Sequence, residues 1–325
     1  MKILITGSEG YIGSALLDKI VSRSNTINFS KIDALDIKPP EKFNTIINNK
    51  PVKNINFIQA DIRNINETKK LDNYDLIFHF AALIDANESV RREQDYIDTN
   101  LHGVKNITDA LQEEGVFVLA SSAAVYGVPD RLPCYETDPL NPVSPYGQNK
   151  KDAEKIVRDI CDIRKSKYQI LRFFNIAGTY RGSYIDSSPE FSKNLFTQLE
   201  TKFKENDIFT VDGACHFTND GTCERDFVDI NWLSEFLFKC GIMSDQLDSF
   251  TTNVGCGESI SILQLVTELK RINSDFIYEI GKPREVEIPK SKSSVDVLSK
   301  ILSAILINSA PTSVQDIAKN IKLEK

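Results

Sequence analysis

The strongest constraint on the fold is a rhythm. Over the first 178 residues, short apolar runs recur at KILIT (2–6), SKIDALDI (30–37), INFIQADI (55–62), DLIFHFAA (75–82), VFVLASSA (116–123) and YQILRFFNIAG (168–178). They are rich in Ile, Val, Leu and Phe and show little polar alternation. Strands covered on both faces have that character. Helical patterns separate them: one opening near Tyr11 through Leu16, Leu17 and Ile20, one over 88–112, one over 145–165. Such βαβα order predicts a doubly wound parallel sheet with helices on both sides. The stretch 38–54 has prolines near both ends and only a weak helix between.

After Gly178 the rhythm breaks. TYRGSYIDSSPE reads as loop, a helix is expected over 191–204, and short strands and turns follow around FTVDGACHFTNDGTCERDF. The expected organisation is an α/β dinucleotide-binding domain over 1–178, which also receives segments near 226–256, and a smaller substrate-binding lobe drawn mainly from 179–325. VDVLSKILSAIL in the tail carries an apolar stripe of the kind that packs into a core.

Gly7, Gly10 and Gly13 lie where the first strand turns into the first helix. A phosphate approaching the main chain there cannot tolerate a β-carbon. The helix N-terminus offers free N–H groups and partial positive charge to the anion. The third glycine permits tight helix–strand packing. Asp36 ends the next strand, where a carboxylate can accept the hydroxyls of an adenosine ribose and repel a 2′-phosphate. That pattern favours NAD over NADP. Asp33 is the alternative acid.

SPYGQNK (144–150) places Tyr146 and Lys150 four residues apart, on one helix face. A phenol titrating near ~10 is a poor base at neutral pH. A neighbouring ammonium favours the phenolate. Tyr146 could then remove a hydroxyl proton while hydride leaves the same carbon. Ser122, in ASSAAVYG (120–127), ends the preceding apolar strand and is placed to hydrogen-bond the reacting oxygen.

The GxxGxxG spacing, with Tyr11 and Ile12 inside it, resembles the short-chain dehydrogenase/reductase superfamily. ADIRN (60–64), carrying Asp61 and Ile62, resembles its adenine-pocket motif. FAA (80–82) resembles the turn along the cofactor, with Phe80, Ala81 and Ala82. Asn100 in YIDTNLHG is similar to the family's middle-helix asparagine. LRFFNIAG (171–178) resembles the extended subfamily's R-[YF]-F-N-x-x-G, which implies Phe174 beside the nicotinamide and Asn175 on a nucleotide diphosphate. DGTCERDFVDI (220–230) resembles the segment whose arginine grips that diphosphate, here Arg225. A guanidinium suits phosphate by charge and by fork geometry. NVGCGESISILQL (253–265) resembles the N-x-G-x-G turn.

Together these segments resemble the UDP-glucose 4-epimerase-like nucleotide-sugar epimerases, over residues 1 to about 265. The resemblance implies bound NAD, a UDP-sugar substrate, and a homodimer formed through helices 88–112 and 145–165. Three departures stand out. Ile84 occupies a place where many such enzymes have lysine. KPREVEIP keeps Arg284, a second diphosphate contact by resemblance, without the Gly-Asp that usually follows. SSPEFSKNLF, expected to close over the sugar, is atypical.

The alternatives are a reductase or dehydratase of the same fold, and a cofactor-binding regulator without turnover. Dehydratases similar to this family carry an Asp-Glu pair where Ala123 and Ala124 stand. Regulators of this kind typically lose the tyrosine or lysine, and both are present.

Composition excludes other classes. Net charge is −7 with Lys and Arg dispersed, so no basic face for nucleic acid is expected. No apolar stretch approaches the ~20 residues that span a bilayer. Six cysteines form no CxxC pair, and the expectation is free thiols in a reducing cytoplasm and no metal site. His79, inside an apolar run, reads as a hydrogen-bonded core histidine.

Overall fold

The structure, a computed structural model, describes residues 1–24, 27, 29–48, 52–178, 195–284 and 287–311. In chain order the strands are β1 (Lys2–Thr6), β2 (Lys31–Asp36), β3 (Ile55–Gln59), β4 (Tyr74–His79), β5 (Leu111–Ser122), β6 (Lys167–Phe173), β7 (Asn175–Ala177), β8 (Phe209–Val211), β9 (Glu224–Asp229), β10 (Phe250–Val254), β11 (Ser259–Ser261) and β12 (Tyr278–Ile280). Seven of them form one sheet, in the order β10-β6-β5-β4-β1-β2-β3, and every pairing is parallel. The expected doubly wound fold is present.

Side-chain alternation explains the apolar runs. Ile3 and Ile5 enter the core on one face, with Leu16, Leu17, Leu233 and Leu237. Leu4 enters the core on the other, with Val104, Ile107 and Val157. Val116 and Val118 join the first cluster and Phe117 and Leu119 the second. Both faces are buried, so odd and even positions alike must be apolar. Each such side chain contributes about 1.5–3 kcal/mol on burial. Helices Tyr11–Arg23 and Ile230–Ile242 cover one face; Gly103–Thr108 and Pro145–Arg164 cover the other.

From β1 the chain winds outward through β2 and β3, then crosses back to β4 and continues the opposite way. The carboxyl ends of β1 and β4 therefore flank a crevice at the reversal, where open α/β sheets bind ligands.

Several expectations need correction. The helix over 88–112 is four pieces: Ala86–Arg91, Glu93–Ile97, a π turn at Asp98–His102, and Gly103–Thr108. Arg92 breaks it with φ −128° and ψ 40°. β5 begins at Leu111, ahead of the expected Val116, so the polar residues Gln112 to Glu114 are strand. YQILRFFNIAG divides between β6 and β7 at Phe174. The weak helix forms as Glu41–Asn48 because Glu9 accepts from Lys42 N at 2.8 Å and Phe43 N at 2.9 Å, occupying its first N–H groups.

Beyond β7, the three-stranded sheet β11-β9-β7 and the pair β12-β8 surround a second core. It contains Phe196, Leu199, Phe203, Phe227, Leu265 and Phe276. Helix Asp296–Ala304 returns Leu298, Ile301 and Leu302 to the main core. Among the described residues, no helix is long and apolar enough to cross a membrane.

Candidate functional site

A cavity of about 970 Å³ opens along the carboxyl ends of the main sheet and extends to the second core. That is near the top of the range for ligand pockets, ~300–1,000 Å³. Every site residue expected from the sequence lines it except Asn100.

At one end lies the glycine crease. Gly7 has φ +71°, and a β-carbon there would stand 2.7 Å from Ala81 N. A β-carbon on Gly13 would run into the Gly7 carbonyl oxygen. The crease thus packs main chain against main chain, which only glycine allows. Gly10 caps helix Tyr11–Arg23 without a side-chain hydrogen bond, and the first turn holds no acid. This N-terminus opens on the cavity beside Tyr11 and Ile12, where the partial positive charge of a helix end favours an anion. Tyr11 closes the crease by donating from its hydroxyl to Gly178 O at 2.5 Å.

The two candidate acids of β2 separate cleanly. Asp36 lines the cavity, and its carboxylate accepts from Glu9 N at 2.9 Å and Lys38 N at 3.0 Å. Asp33 is fully buried away from it, held by the Tyr74 hydroxyl at 2.5 Å, Asn56 at 3.0 Å and Lys31 at 2.8 Å. Further along, Asp61 takes a forked pair from Arg63, which holds its carboxyl below the usual range. Ile62 packs under Gly103. Phe80, Ala81 and Ala82 follow β4 along the wall, with Phe80 N on Thr6 O at 3.1 Å.

Asn100 sits just behind the wall, next to the lining residue Thr99. Its amide clamps Leu83 from both sides, donating to the carbonyl and accepting from the N–H, each at 2.9 Å. The π turn aims it inward, so it shapes the wall without reaching the cavity.

Tyr146 and Lys150 share the first turns of helix Pro145–Arg164, which Ser144 caps through Gly147 N at 3.1 Å. Tyr146 meets Tyr96 edge to face, with centroids 6.5 Å apart. Its N–H donates to buried Ser89 Oγ at 3.1 Å. Its phenol is hydrogen-bonded to Ser122. Lys150 points beneath the ring, Nζ 5.9 Å from the ring centre, and donates to Ala120 O at 2.7 Å.

The electrostatics differ from the simple expectation. Burial pushes the Tyr146 phenol above its ordinary value, and the Ser122 hydrogen bond offsets only part of that. Burial also brings Lys150 down to about 8, opposed by Glu154. Desolvation is the largest influence on both members of the pair, and it disfavours the charged form of each. His79 is a core histidine, as read from the sequence: Nδ1 is 2.9 Å from Thr6 Oγ1, and burial drives its pKa to about 3.

At the far end stand Phe174, Asn175, Arg225 and Arg284. Arg225 donates to Ile288 O at 2.6 Å and Glu224 O at 3.0 Å. Arg284 pairs with Asp212 at 2.5 Å. Ile84, in place of lysine, is largely exposed at the cavity rim. Residues 179–194, which hold most of the stretch expected to close over the sugar, lie outside the described residues.

Sequence reasoning missed two constellations. Beside Arg225, Glu287 accepts from His216 Nε2 at 2.9 Å and from the Cys223 thiol, and the guanidinium stands 3.8 Å away. The donor atoms of His216, Cys223 and Glu287 lie within 4.8 Å of one another. Arg225 already supplies the cation, and burial pushes the Cys223 thiol up to about 12, away from the thiolate that binds metals. The second is the Glu154–Arg172 pair beneath Tyr146 and Lys150; the four-residue steps from Tyr146 through Arg158 were the signal for it.

Comparisons with known proteins follow this geometry. The NAD dependent epimerase/dehydratase family matches residues 3–238. A UDP-glucose 4-epimerase of Lactobacillus helveticus is 31% identical over 301 residues, 87% of this chain and 86% of that one. A UDP-glucose 4-epimerase from Stenotrophomonas maltophila, solved with bound NAD and formylated UDP-arabinopyranose, superposes with TM-score 0.85 at 25% identity, covering 98% of this chain and 96% of that one. The UDP-Glc/GlcNAc 4-epimerase of Campylobacter jejuni gives TM-score 0.76 at 25% identity, covering 98% and 97%. With its glycine crease, its cavity-facing Asp36 and a family match over most of its length, this chain belongs to the NAD dependent epimerase/dehydratase family.

Proposed function

We propose that the protein interconverts C4 epimers of a nucleotide-diphosphate sugar, UDP-glucose and UDP-galactose or their N-acetyl forms, through a 4-keto sugar. The observation that carries this reading is the triad at mid-cavity: the Tyr146 phenol on Ser122, with Lys150 behind it, between a dinucleotide crease and two arginines.

The residues fit NAD. The uncapped helix N-terminus behind Gly7 and Gly10 suits its diphosphate, and Asp36 suits a ribose with free hydroxyls. Phe80, Ala81, Ala82, Asp61 and Ile62 would line its length. When bound, NAD supplies a hydride acceptor that returns the hydride to the sugar. Tyr146 removes the proton of the 4-hydroxyl, and Ser122 holds that oxygen beside the phenol. Lys150 stabilises the phenolate, a burden made heavier by the burial of both groups. Asn175, Arg225 and Arg284 anchor the diphosphate, leaving the sugar ring free to turn over.

Elimination has less support: Ala123 and Ala124 place no carboxylate after Ser122. We include in the proposal a homodimer through Ala86–Thr108 and Pro145–Arg164, on which Val90 and Ile163 are exposed, and a cytoplasmic location, consistent with six free thiols.

Purified protein assayed with UDP-galactose and with UDP-N-acetylgalactosamine tests the reading. The expected result is the C4 epimer without net consumption of added NADH. Absence of epimer from protein confirmed to hold NAD overturns it, and NADH consumption matched to product favours a reductase.

A further inference from the structure

Tyr146, Lys150, Glu154 and Arg158 follow at four-residue steps along helix Pro145–Arg164. They stack on one side. Tyr146 and Lys150 face the cavity; Glu154 lies beneath it, fully buried. Arg172 of β6 grips Glu154 with both prongs, Nε to Oε1 at 2.9 Å and Nη2 to Oε2 at 2.8 Å. Ser121 donates to Oε1 at 2.6 Å, and Arg158 donates to Oε2 at 3.0 Å.

The chain of bonds continues. Arg172 Nη1 donates to the Tyr126 hydroxyl at 2.9 Å, which donates to Asn253 of β10 at 2.6 Å. Arg158 also donates to Thr251 of β10 at 3.0 Å. Charges buried this way stabilise a fold no better than well-packed apolar residues do. Placement gives them another use. Ser121 immediately precedes Ser122, and Arg172 is followed closely by Phe174 and Asn175.

We propose that Glu154 is a positioning residue, which ties the Tyr146–Lys150 helix to the ends of β5, β6 and β10 and keeps Lys150 charged beside Tyr146. This rests on the reading of Tyr146 and Lys150 as the proton-transfer pair. The groups that face Lys150 are Tyr146 and Glu154 from its own helix, the Ala120 carbonyl of β5, and His79 of β4, which stays neutral. Arg172 lies just beyond Glu154. Glu154 is thus the negative charge that acts on the ammonium, and burial works against it.

The experiment measures kcat and KM for UDP-galactose across pH 6–10, with bound NAD and melting temperature as controls. Removing the charge in Glu154→Gln leaves Arg172 unpaired near Lys150. The alkaline limb is expected to move down by about one pH unit, and kcat to fall about tenfold with KM nearly unchanged. Glu154→Asp keeps the charge and is expected to restore the alkaline limb though not the full kcat. Wild-type kcat and limb in Glu154→Gln, or a displaced limb in Glu154→Asp, overturns the proposal. If Glu154→Gln does not fold, Ser121→Ala decides. It is expected to lower kcat severalfold with the limb in place, and wild-type kcat there overturns the proposal. Activity in Tyr146→Phe overturns the underlying reading instead; an inactive Tyr146→Phe beside an unaltered Glu154→Gln overturns only the role of Glu154.

Discussion

Lys150 gives its hydrogen bond to the carbonyl of Ala120, at 2.7 Å, and stands 5.9 Å from the centre of the Tyr146 ring. The ammonium is therefore anchored to β5 and acts on the phenol through space. Fixing a charge near a reacting group without bonding it leaves the phenol free for Ser122 and the substrate.

Replacing Tyr146 by phenylalanine removes the proton acceptor and little else, since the ring keeps its packing on Tyr96. Turnover is expected to fall by roughly 10²–10⁴. Bound NAD, measured after denaturation, should match the wild type.

Lys150 is buried and its folded pKa, about 8, lies below the ordinary value of 10.5. The unfolded chain therefore binds more protons between those values, and this group makes stability rise with pH across that window. Below 8 its cost to the fold is complete; above 10.5 it is gone. The stability of Lys150→Met relative to wild type should accordingly improve as pH falls from 10.5 to 8, and then level off. Chemical denaturation at several pH values reads this directly.

Asp36 is held by two main-chain N–H groups and faces the cavity. Substitution by serine removes the charged acceptor for ribose hydroxyls. Loss of about one charge-assisted hydrogen bond corresponds to a roughly tenfold to hundredfold weaker Kd for NAD. The preference over NADP should shrink further, because the repulsion of a 2′-phosphate goes too. Titration calorimetry with both dinucleotides measures each effect.

Gly13→Ala forces a β-carbon onto the Gly7 carbonyl, which is main chain and has little room to shift. A cost of ~1–3 kcal/mol in stability is expected, with loss of NAD retention because the crease opens. Denaturant midpoints and the absorbance of bound cofactor check the two parts.

Arg225→Ala should raise KM for the sugar nucleotide by roughly tenfold to hundredfold, with a smaller change in kcat, because diphosphate anchoring is shared by ground and transition states. Steady-state kinetics decide it. The same change leaves Glu287 without its nearby cation, so charge repulsion adds to the lost contact.

The sheet was legible because strands buried on both faces need uninterrupted apolar residues, as Ile3, Leu4 and Ile5 show. The start of β5 was not: Gln112, Glu113 and Glu114 carry no such signal, and they lie in an irregularity between Leu111 and Val116, the two positions that pair with β4. The helix break at Arg92 follows no glycine or proline. At the site, residue types and spacing pointed to Ser122, Tyr146 and Lys150, which the fold brings onto one cavity, while their proton affinities depend on burial that no motif encodes. Asn100 was placed by motif, while its hydrogen bonds to Leu83 depend on a local π turn that no motif encodes. Asp36 and Asp33 share a strand, and the three-dimensional environment alone separates an acid on the cavity from one locked to Tyr74.

β10 lies at the rim of the main sheet although some eighty residues separate it from its neighbour β6. On the ribosome, β6 is made long before its partner and must wait with its outer N–H and C=O groups bare. A fragment ending at Gly178 would keep that row of groups permanently open, an invitation to stick to another chain. Dividing the gene at the apparent end of the nucleotide-binding half should therefore yield aggregates, and the residues through Val254 must be synthesised before the first half is complete.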